Sequence, residues 1–295
     1  MKPPAFEYRD PRTREEAIAL LAEHGEAAKI LAGGQSLVPM LNLRLLRPEY
    51  LVDINRVAGL SFIEVKGGEL AIGACTRQRA IERSELVRRT CPLLHEAMPF
   101  IAHFQIRSRG TIGGSLSHAD PAAELPTVVT ALGGRFVLRS VRGERVVSAA
   151  DFYTGFLSTA LRPDELLTEI RVPIPPVQTG CAFMEVSRRH GDFALAAVAV
   201  LVRFDQDGRC AFVRLVVAGV HGVPFRSADT EASLIGTKLL PEDAENASRL
   251  MAAELEPISD LHASADYRRQ AARVLARRAL ECAALRARSH AEAGT

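Results

Sequence analysis

The sequence predicts an α+β fold in more than one domain. Residues 13–54 combine one helical segment with two short apolar runs, which predicts a small β-α-β-like unit. Residues 62–74 and 195–220 have the pattern of antiparallel hairpins, with glycine at the expected turns. The chain ends in three helical patterns. Strands followed by helices in this order are typical of an α+β fold.

The composition is that of an ordinary soluble globular protein. Of 295 residues, 47% are hydrophobic and 24% are charged, which is enough for a sizeable core. The net charge is +2 with both signs interspersed, so nothing indicates nucleic-acid or membrane binding. There is no apolar signal region, and the longest apolar run, residues 194–202, is too short for a membrane span. We therefore expect a cytoplasmic protein.

The cysteines and histidines form no recognisable metal or catalytic set in the sequence. The five cysteines are scattered without a Cys-x-x-Cys pair, so we expect buried free thiols and no zinc or iron–sulfur ligands. The eight histidines are dispersed and lack metal-like pairing. We assign no catalytic residue and no metal ligand, and any redox chemistry would depend on an organic cofactor.

The element pattern divides the chain near three prolines, Pro173, Pro175 and Pro176. The predicted domains are 1–176, with subdomains of about 1–57 and 58–176, and then 177–295, a three-stranded antiparallel sheet with helices. A capping box at Thr13 and Glu16 begins the first helix, Gly25 ends it, and Thr76 caps a later one. Predicted strands cover residues 29–32, 51–54, 62–65, 70–74, 135–138, 145–147, 182–187, 195–205 and 210–220, and predicted helices cover 126–132, 229–235, 242–255 and 266–288. Residues 151–153 and 165–172 close the first domain.

A glycine pair, Gly33-Gly34, follows the strand predicted at residues 29–32. Ser36 can cap the turn or helix that follows. A strand that runs into a glycine pair and then a helix start can cradle a diphosphate, although plain packing also explains the pattern.

A second glycine pair lies in the stretch Thr111-Ile112-Gly113-Gly114-Ser115. We expect a turn with positive φ here, whose backbone N–H groups can converge on an anion. The polar residues His118, Asp120 and Glu124 follow, and these can hold a nucleotide's sugar or ring. Neither pair belongs to a Walker A loop or a G-x-G-x-x-G motif, so spacing alone also allows two ordinary turns.

Both stretches resemble the FAD-binding signatures of the medium subunit of molybdenum hydroxylases, the carbon monoxide dehydrogenase and xanthine dehydrogenase family. The resemblance is carried by residues 32–37, Ala-Gly-Gly-Gln-Ser-Leu, and by residues 111–115 with His118 to Pro126. A third similar stretch is Phe183 to Ala194, and order and spacing agree along nearly the whole chain.

This resemblance implies a two-part FAD-binding domain of the vanillyl-alcohol-oxidase type and a C-terminal domain of the carbon monoxide dehydrogenase flavoprotein type. It implies that FAD receives electrons from iron–sulfur clusters of a small subunit, after a molybdenum-cofactor large subunit has oxidised the substrate. The electrons then pass to NAD, a quinone or oxygen. The implied assembly is a heterotrimer or its dimer.

The resemblance also implies the cofactor contacts. Thr111 and Ser115 contribute side chains, Asp120 can either contact the cofactor or cap a helix, and Phe193 lies near the flavin ring or in the core. At residues 184–185 this chain has Met184-Glu185 where many relatives have a lysine. The implied FAD-binding residues are Ala32, Gly33, Gly34, Gln35, Ser36, Leu37, Ile101, Thr111, Gly113, Gly114, Ser115, His118, Asp120, Glu124, Leu161 and Phe193.

Two alternatives remain at this stage. One is a stand-alone flavin oxidoreductase of the same fold, which would need its own substrate base beside the flavin. The other is a nucleotide-binding module with a regulatory rather than a redox role.

Overall fold

The computed structural model describes residues 2–293, and within them the chain forms 12 α-helices and 14 β-strands in four sheets. Three apolar clusters organise these elements: one in the N-terminal unit, one at the centre, and one under the C-terminal helices. The α+β prediction is confirmed at this level.

The N-terminal unit is a three-stranded parallel sheet with strand order β1-β3-β2. Its first helix starts with the predicted capping box, because Thr13 Oγ1 accepts from the Glu16 N–H at 3.1 Å and Glu16 Oε2 accepts from the Thr13 N–H at 3.2 Å. Gly25, at φ +49°, ends the helix as predicted. The elements are β1 Glu7–Arg9, α1 Arg14–His24, β2 Ala28–Leu31, α2 Leu37–Asn42 and β3 Tyr50–Asp53.

The second unit contains an antiparallel five-stranded sheet with strand order β4-β5-β10-β6-β7. A series of short helices separates its first two strands from the others. The elements are β4 Ile63–Lys66, β5 Glu69–Gly73, α3 Gln78–Glu82, α4 Glu85–Thr90, α5 Pro92–Ala97, α6 Phe104–Arg107, α7 Ile112–His118, α8 Glu124–Ala131, β6 Arg135–Ser140, β7 Gly143–Ser148, α9 Ala149–Phe152, β8 Tyr153–Gly155, β9 Ser158–Thr159 and β10 Leu166–Pro173.

The capping residue predicted for α3 is wrong. Arg77, not Thr76, precedes the first helical residue. The Thr76 hydroxyl instead donates to Phe62 O at 3.0 Å and accepts from the Phe62 N–H at 3.1 Å, so it ties the chain to the segment before β4. Thr76 is therefore a hydrogen-bonding residue near a helix start, but its partner is Phe62 rather than a backbone N–H of the helix.

The C-terminal sheet has four strands in the order β11-β12-β13-β14 rather than the predicted three. The additional strand has two residues, Phe225 and Arg226, which pair with Val217 and Val216. A strand this short cannot show an alternating pattern, so no sequence periodicity predicts it. The elements are β11 Gly180–Ser187, β12 Ala194–Phe204, β13 Cys210–Ala218, β14 Phe225–Arg226, α10 Ala228–Leu234, α11 Pro241–Glu254 and α12 Ala265–Ala293.

The two faces of this sheet belong to different cores. Phe183 and Ala199 pack in the central cluster, whereas Ala182 and Val198 pack in the cluster under α11 and α12. This separation follows from the two-residue period of a strand. The inner face of the C-terminal sheet therefore covers helices α5 and α8 of the preceding unit.

All five cysteines are free, and all but Cys282 are buried, as expected. Within residues 2–293, no helix combines the length and apolar character that crossing a membrane requires.

Candidate functional site

The two glycine stretches meet in space. A Cβ placed on Gly33 would lie 2.7 Å from both Arg109 O and Gly110 Cα, distances that real Cβ atoms do not adopt. Only glycine allows this approach of backbone to backbone. The loop after β2 and the segment that leads into α7 therefore form one continuous surface.

The first loop presents unpaired backbone donors. None of the N–H groups from Gly33 to Leu37 donates to an acceptor in residues 2–293. Gly34 has φ +74°, which turns the loop, and the Gln35 side chain folds back to donate to Gly33 O at 2.9 Å. Ser36 precedes α2 but its hydroxyl makes no capping bond. A row of free N–H groups on a half-buried loop is suited to an anion such as a diphosphate.

The second stretch is a helix and not the predicted turn. Gly113 and Gly114 lie in the first turn of α7, neither has positive φ, and Thr111 is the N-cap. Their N–H groups are already used: Gly113 donates to Ala74 O at 2.9 Å and Gly114 to Thr111 Oγ1 at 3.1 Å. Ser115 N–H donates to Thr111 O at 3.2 Å. The expectation that this stretch supplies free backbone donors is therefore wrong.

Glycine is needed here for close packing. A Cβ on Gly113 would lie 2.6 Å from Ala74 O, and one on Gly114 would lie 2.8 Å from the Thr111 hydroxyl. The latter would also approach Ala32 at 3.9 Å, which places the exposed side of α7 beside the first loop. Ser115 and His118 are half-buried on this helix.

A pair of residues that the sequence analysis missed joins the two stretches. Asn55 Nδ2 donates to Ala32 O at 2.8 Å, and Asn55 Oδ1 accepts from Arg77 Nη2 at 2.7 Å. Arg77 Nη1 donates in turn to Arg109 O. Asn55 is held by Asp53, whose Oδ1 accepts from its backbone N–H at 2.9 Å. The only local signal in the sequence is the polar pair Asp53 and Asn55 at the end of β3.

The polar residues after α7 occupy a turn and a helix start. Asp120 Oδ1 accepts from the Ala122 N–H at 2.9 Å, which makes a local turn. Glu124 is the first residue of α8, and Ala123 holds the N-cap position. Glu124 is buried, and this burial, followed by the charge of Asp120, raises its pKa to about 7.

Ile101 and Leu161 pack in the central apolar cluster that also holds Leu116 of α7. Ile101 is fixed by Arg107, which is buried and donates to Ile101 O at 2.7 Å. Arg107 also pairs with Glu82 through Nε and Nη2 at 3.0 and 3.1 Å. These bonds hold the loop before α6 in place.

Phe193 lies on an exposed loop and is not a core residue, since its exposed fraction is 62%. The neighbouring Gly191 packs on His103 and Ala102, and a Cβ there would lie 2.6 Å from the His103 ring. At Gly191 this loop therefore packs against the segment that follows Ile101. A cleft of about 380 Å³ lies here, lined by residues 102–105, Arg107 and His190.

Glu185 is a further residue outside the predicted set. It lies between Met184 and Val186, which pack on the outer cluster, so alternation along β11 places it on the inner face beside Phe183. Its Oε2 is buried without a hydrogen-bond partner in residues 2–293. Burial, followed by the charge of Glu124, raises its pKa to about 8.

No group of three or more histidine, cysteine, aspartate or glutamate residues in the described part of the chain is arranged to hold a metal ion. The groups that these segments offer to a ligand are backbone donors, hydroxyls and carboxyls.

Comparison with known proteins identifies the family of this chain. Residues 4–175 match the family described as FAD binding domain in molybdopterin dehydrogenase, and residues 181–283 match the CO dehydrogenase flavoprotein C-terminal domain. The 6-hydroxypseudooxynicotine dehydrogenase complex subunit alpha of Paenarthrobacter nicotinovorans is 44% identical, over 98% of this chain and 97% of that protein. The caffeine dehydrogenase subunit beta of Pseudomonas sp. (strain CBB1) is 42% identical, over 96% of each.

A solved structure of carbon monoxide dehydrogenase from Hydrogenophaga pseudoflava contains a chain that superposes with a TM-score of 0.94 at 40% identity, covering 97% of this chain and 99% of that one. Both family models, the relatives and this structure agree over nearly the whole length. The chain belongs to the family of FAD-binding medium subunits of molybdenum hydroxylases.

Proposed function

We propose that this chain is the FAD-binding subunit of a molybdenum hydroxylase complex and passes electrons from a partner's iron–sulfur clusters to an external acceptor. FAD, when bound, supplies a ring that accepts electrons singly and can release them in pairs. What this chain supplies is the cradle that binds and orients the cofactor.

One observation carries the proposal: a loop of unpaired N–H groups, Gly33 to Leu37, is locked against the start of α7. Five successive N–H groups without acceptors in the described residues fit an anionic diphosphate, and they add no charged side chain to the site. A glycine is required at the contact itself, because any side chain would separate the two stretches.

The remaining predicted residues extend this cradle. Helix α7 approaches Ala32 at Gly114, and its half-buried Ser115 and His118 can offer a hydroxyl and an imidazole to the cofactor. The carboxyl of Glu124 can accept from a cofactor hydroxyl. We propose that the flavin ring lies at the cleft lined by residues 102–105, Arg107 and His190, near the loop of Phe193. We keep the predicted set of FAD contacts, with Thr111 as the helix cap that orders α7 and Leu161 as an apolar neighbour.

For the domain organisation we propose the division 1–176 and 177–295, with a first domain of the vanillyl-alcohol-oxidase type in parts of about 1–57 and 58–176. The three larger of the four sheets support it, since the parallel sheet of the first part ends with β3 and the five-stranded antiparallel sheet begins with β4. The ranges of the two family matches, 4–175 and 181–283, lie on either side of the same boundary.

We propose a molybdenum-cofactor large subunit and an iron–sulfur small subunit as partners, in a heterotrimer or its dimer. Relatives of this chain are named as subunits or medium chains of dehydrogenases. The cysteines of this chain are dispersed and free, so iron–sulfur clusters would have to be carried by another chain.

The test is to express the chain alone and together with the products of neighbouring genes. We expect about one FAD per chain, electron transfer to an acceptor only with the partners, and no substrate turnover by the chain alone. Turnover by the chain alone would instead support the stand-alone oxidoreductase, and a colourless protein that takes up no FAD would support the regulatory module.

Two substitutions test the site assignment. Gly34→Val forces a branched side chain into φ +74° and within 3.2 Å of Leu31 and Val38. Gly114→Val displaces the Thr111 cap. We expect both variants to remain soluble and to lose FAD, and normal FAD content in both would contradict the assignment.

A further inference from the structure

A buried arginine at the start of the last helix bonds to three separate loops. Arg268 lies in the first turn of α12, and its exposed fraction is 7%. Its Nη1 donates to Leu195 O at 2.9 Å and to Gly219 O at 3.1 Å, and its Nη2 donates to Asp260 Oδ2 at 2.7 Å. These bonds offset the cost of burying the guanidinium, and they also fix the positions of the three acceptors.

The first acceptor is the extra residue of a β-bulge. Ala194 and Ala196 of β12 pair with consecutive residues of β11, so Leu195 between them has no partner there. The pairing of β12 with β13 begins two residues later. The carbonyl of this bulged residue accepts from the guanidinium. A bulge redirects the chain, and this one lies directly after the exposed loop of residues 188–193, which we call the Phe193 loop.

The second acceptor connects the guanidinium to the turn of residues 120–122, which we call the Asp120 turn. Gly219 has φ +76°, and a Cβ on it would lie 2.8 Å from Leu195 O. Glycine is therefore required where the two carbonyls approach one guanidinium. The Gly219 N–H donates to Pro121 O at 2.9 Å. Two hydrogen bonds through Gly219 thus join the arginine to the Asp120 turn.

The third acceptor belongs to the loop between α11 and α12. Asp260 Oδ1 accepts from two backbone N–H groups of its own loop at 2.8 and 3.0 Å. These two bonds, followed by the hydrogen bond from Arg268, lower the pKa of Asp260 to about 2, so the ion pair persists at neutral pH. His262 Nδ1 of the same loop lies 2.8 Å from Arg188 Nη1. The Phe193 loop is therefore contacted from this side as well.

We propose that Arg268 is a positioning residue for the flavin, because it fixes the Phe193 loop and the Asp120 turn relative to each other. This inference rests on the proposed function, in which Phe193 and Asp120 contact FAD. In the proposed division Asp120 belongs to the first domain and Phe193 to the second. Their relative position then depends on contacts across the boundary, and Arg268 bonds to the backbone beside Phe193 and, through Gly219, to the backbone beside Asp120.

The shape of the guanidinium suits this role. Its donors lie in one plane and point in fixed directions, so Nη1 reaches two carbonyls while Nη2 reaches the carboxylate. A lysine ammonium keeps the charge, but it is a single point on a flexible stem. Arg268→Lys therefore keeps a cation beside Asp260 and weakens the bonds that hold Leu195 and Gly219.

The experiment uses the full chain with FAD bound and compares the wild type with Arg268→Lys and Arg273→Lys. Arg273 lies on the same helix but pairs with Glu245 of α11, so its lysine variant is the matched control. The readouts are the FAD dissociation constant and the visible circular dichroism of the bound flavin. We expect Arg268→Lys to raise the dissociation constant about threefold to tenfold and to change the flavin spectrum. Arg273→Lys should leave both unchanged.

A double-mutant cycle with Phe193→Ala separates positioning from a general loss of stability. Phe193 is exposed, so its truncation should change the flavin spectrum and leave the free energy of unfolding nearly unchanged. If the arginine acts through this loop, Arg268→Lys changes the spectrum less in the Phe193→Ala background than in the wild type. Equal changes in the two backgrounds overturn the inference.

Asp260→Asn provides a second variant in case Arg268→Lys does not fold. The asparagine keeps the acceptor for the two backbone N–H groups and places an amide in front of the guanidinium, at a half-exposed position. We expect a folded protein whose flavin spectrum changes in the same direction. A wild-type spectrum and FAD affinity in every folded variant at these two positions overturn the inference and leave the proposed function intact. A wild-type chain that binds no FAD overturns the proposed function itself.

Discussion

Asn55 Oδ1 accepts a hydrogen bond from Arg77 Nη2 at 2.7 Å, and this bond connects the two glycine stretches that we propose as the cofactor cradle. Asn55 holds the first glycine loop through Ala32 O, and Arg77 holds the second stretch through Arg109 O. Because both residues are half-buried, removal of either leaves the other's polar group without its partner.

We therefore predict that Asn55→Ala lowers the free energy of unfolding by about 1–3 kcal/mol and weakens FAD binding about tenfold. Urea unfolding and FAD titration measure the two effects. Arg88→Ala removes an exposed i,i+3 ion pair with Glu85 and is the matched control, with an expected change below about 0.5 kcal/mol. If the two variants had the same stability and the same FAD affinity, the hydrogen bond between Asn55 and Arg77 would have no role in the cradle.

A methyl group on Gly33 should separate the two stretches. Gly33→Ala brings a Cβ within 2.7 Å of backbone on the facing segment, which cannot move aside like a flexible side chain. We expect a loss of stability of about 1–3 kcal/mol and FAD binding weakened tenfold or more. Gly155→Ala is the control, since its Cβ would meet nothing within 4 Å and its φ is not positive. FAD affinity that is unchanged in Gly33→Ala would contradict the shared surface.

The sequence predicted the first glycine loop better than the second, for a physical reason. Gly34 is a glycine required by its backbone angle, which is the usual meaning of a glycine pair after a strand. Gly113 is a glycine required by contact with Ala74, and a contact between distant segments leaves no local pattern. A glycine pair in the sequence can thus reflect either a positive φ or a close contact. Only the three-dimensional packing distinguishes these two reasons.

Hydrogen bonds between residues far apart in the chain also could not be predicted from the sequence. The capping box of α1 was predicted because Thr13 and Glu16 are three residues apart. Asn55 follows β3 of the parallel sheet, whereas Arg77 follows β5 of the antiparallel sheet, 22 residues later in the chain. Glu185 was noted for its departure from the relatives but not for its environment, which depends on α8 packing against β12 and β13. The family resemblance indicates which cofactor binds. The structure shows the contacts within the protein whose mutation tests that binding.

Arg107 should be intolerant of lysine. Its guanidinium donates to both Glu82 oxygens and to two backbone carbonyls, Ile101 O and Ala102 O, which an ammonium group cannot reproduce at once. We expect Arg107→Lys to cost about 2–4 kcal/mol in urea unfolding and to increase amide exchange in the loop before α6. Arg79→Lys, which contacts the same carboxylate from a more exposed position, should cost less than about 1 kcal/mol. A smaller loss of stability in Arg107→Lys than in Arg79→Lys would show that the buried guanidinium of Arg107 does not hold this loop in place.

The stability of the flavin-free protein should fall as the pH rises toward 8, and Glu185 should cause much of the change. Its pKa is raised in the folded state to about 8, from 4.5, so between these values the folded protein binds more protons than the unfolded chain. The free energy of unfolding then decreases with increasing pH, and this contribution is fully present only below pH 4.5. Glu185→Gln should match the wild type near pH 5 and be more stable than the wild type at pH 8.5. Urea unfolding at both pH values checks the sign of this change in stability. If Glu185→Gln loses as much stability between pH 5 and pH 8.5 as the wild type does, another group causes the pH dependence.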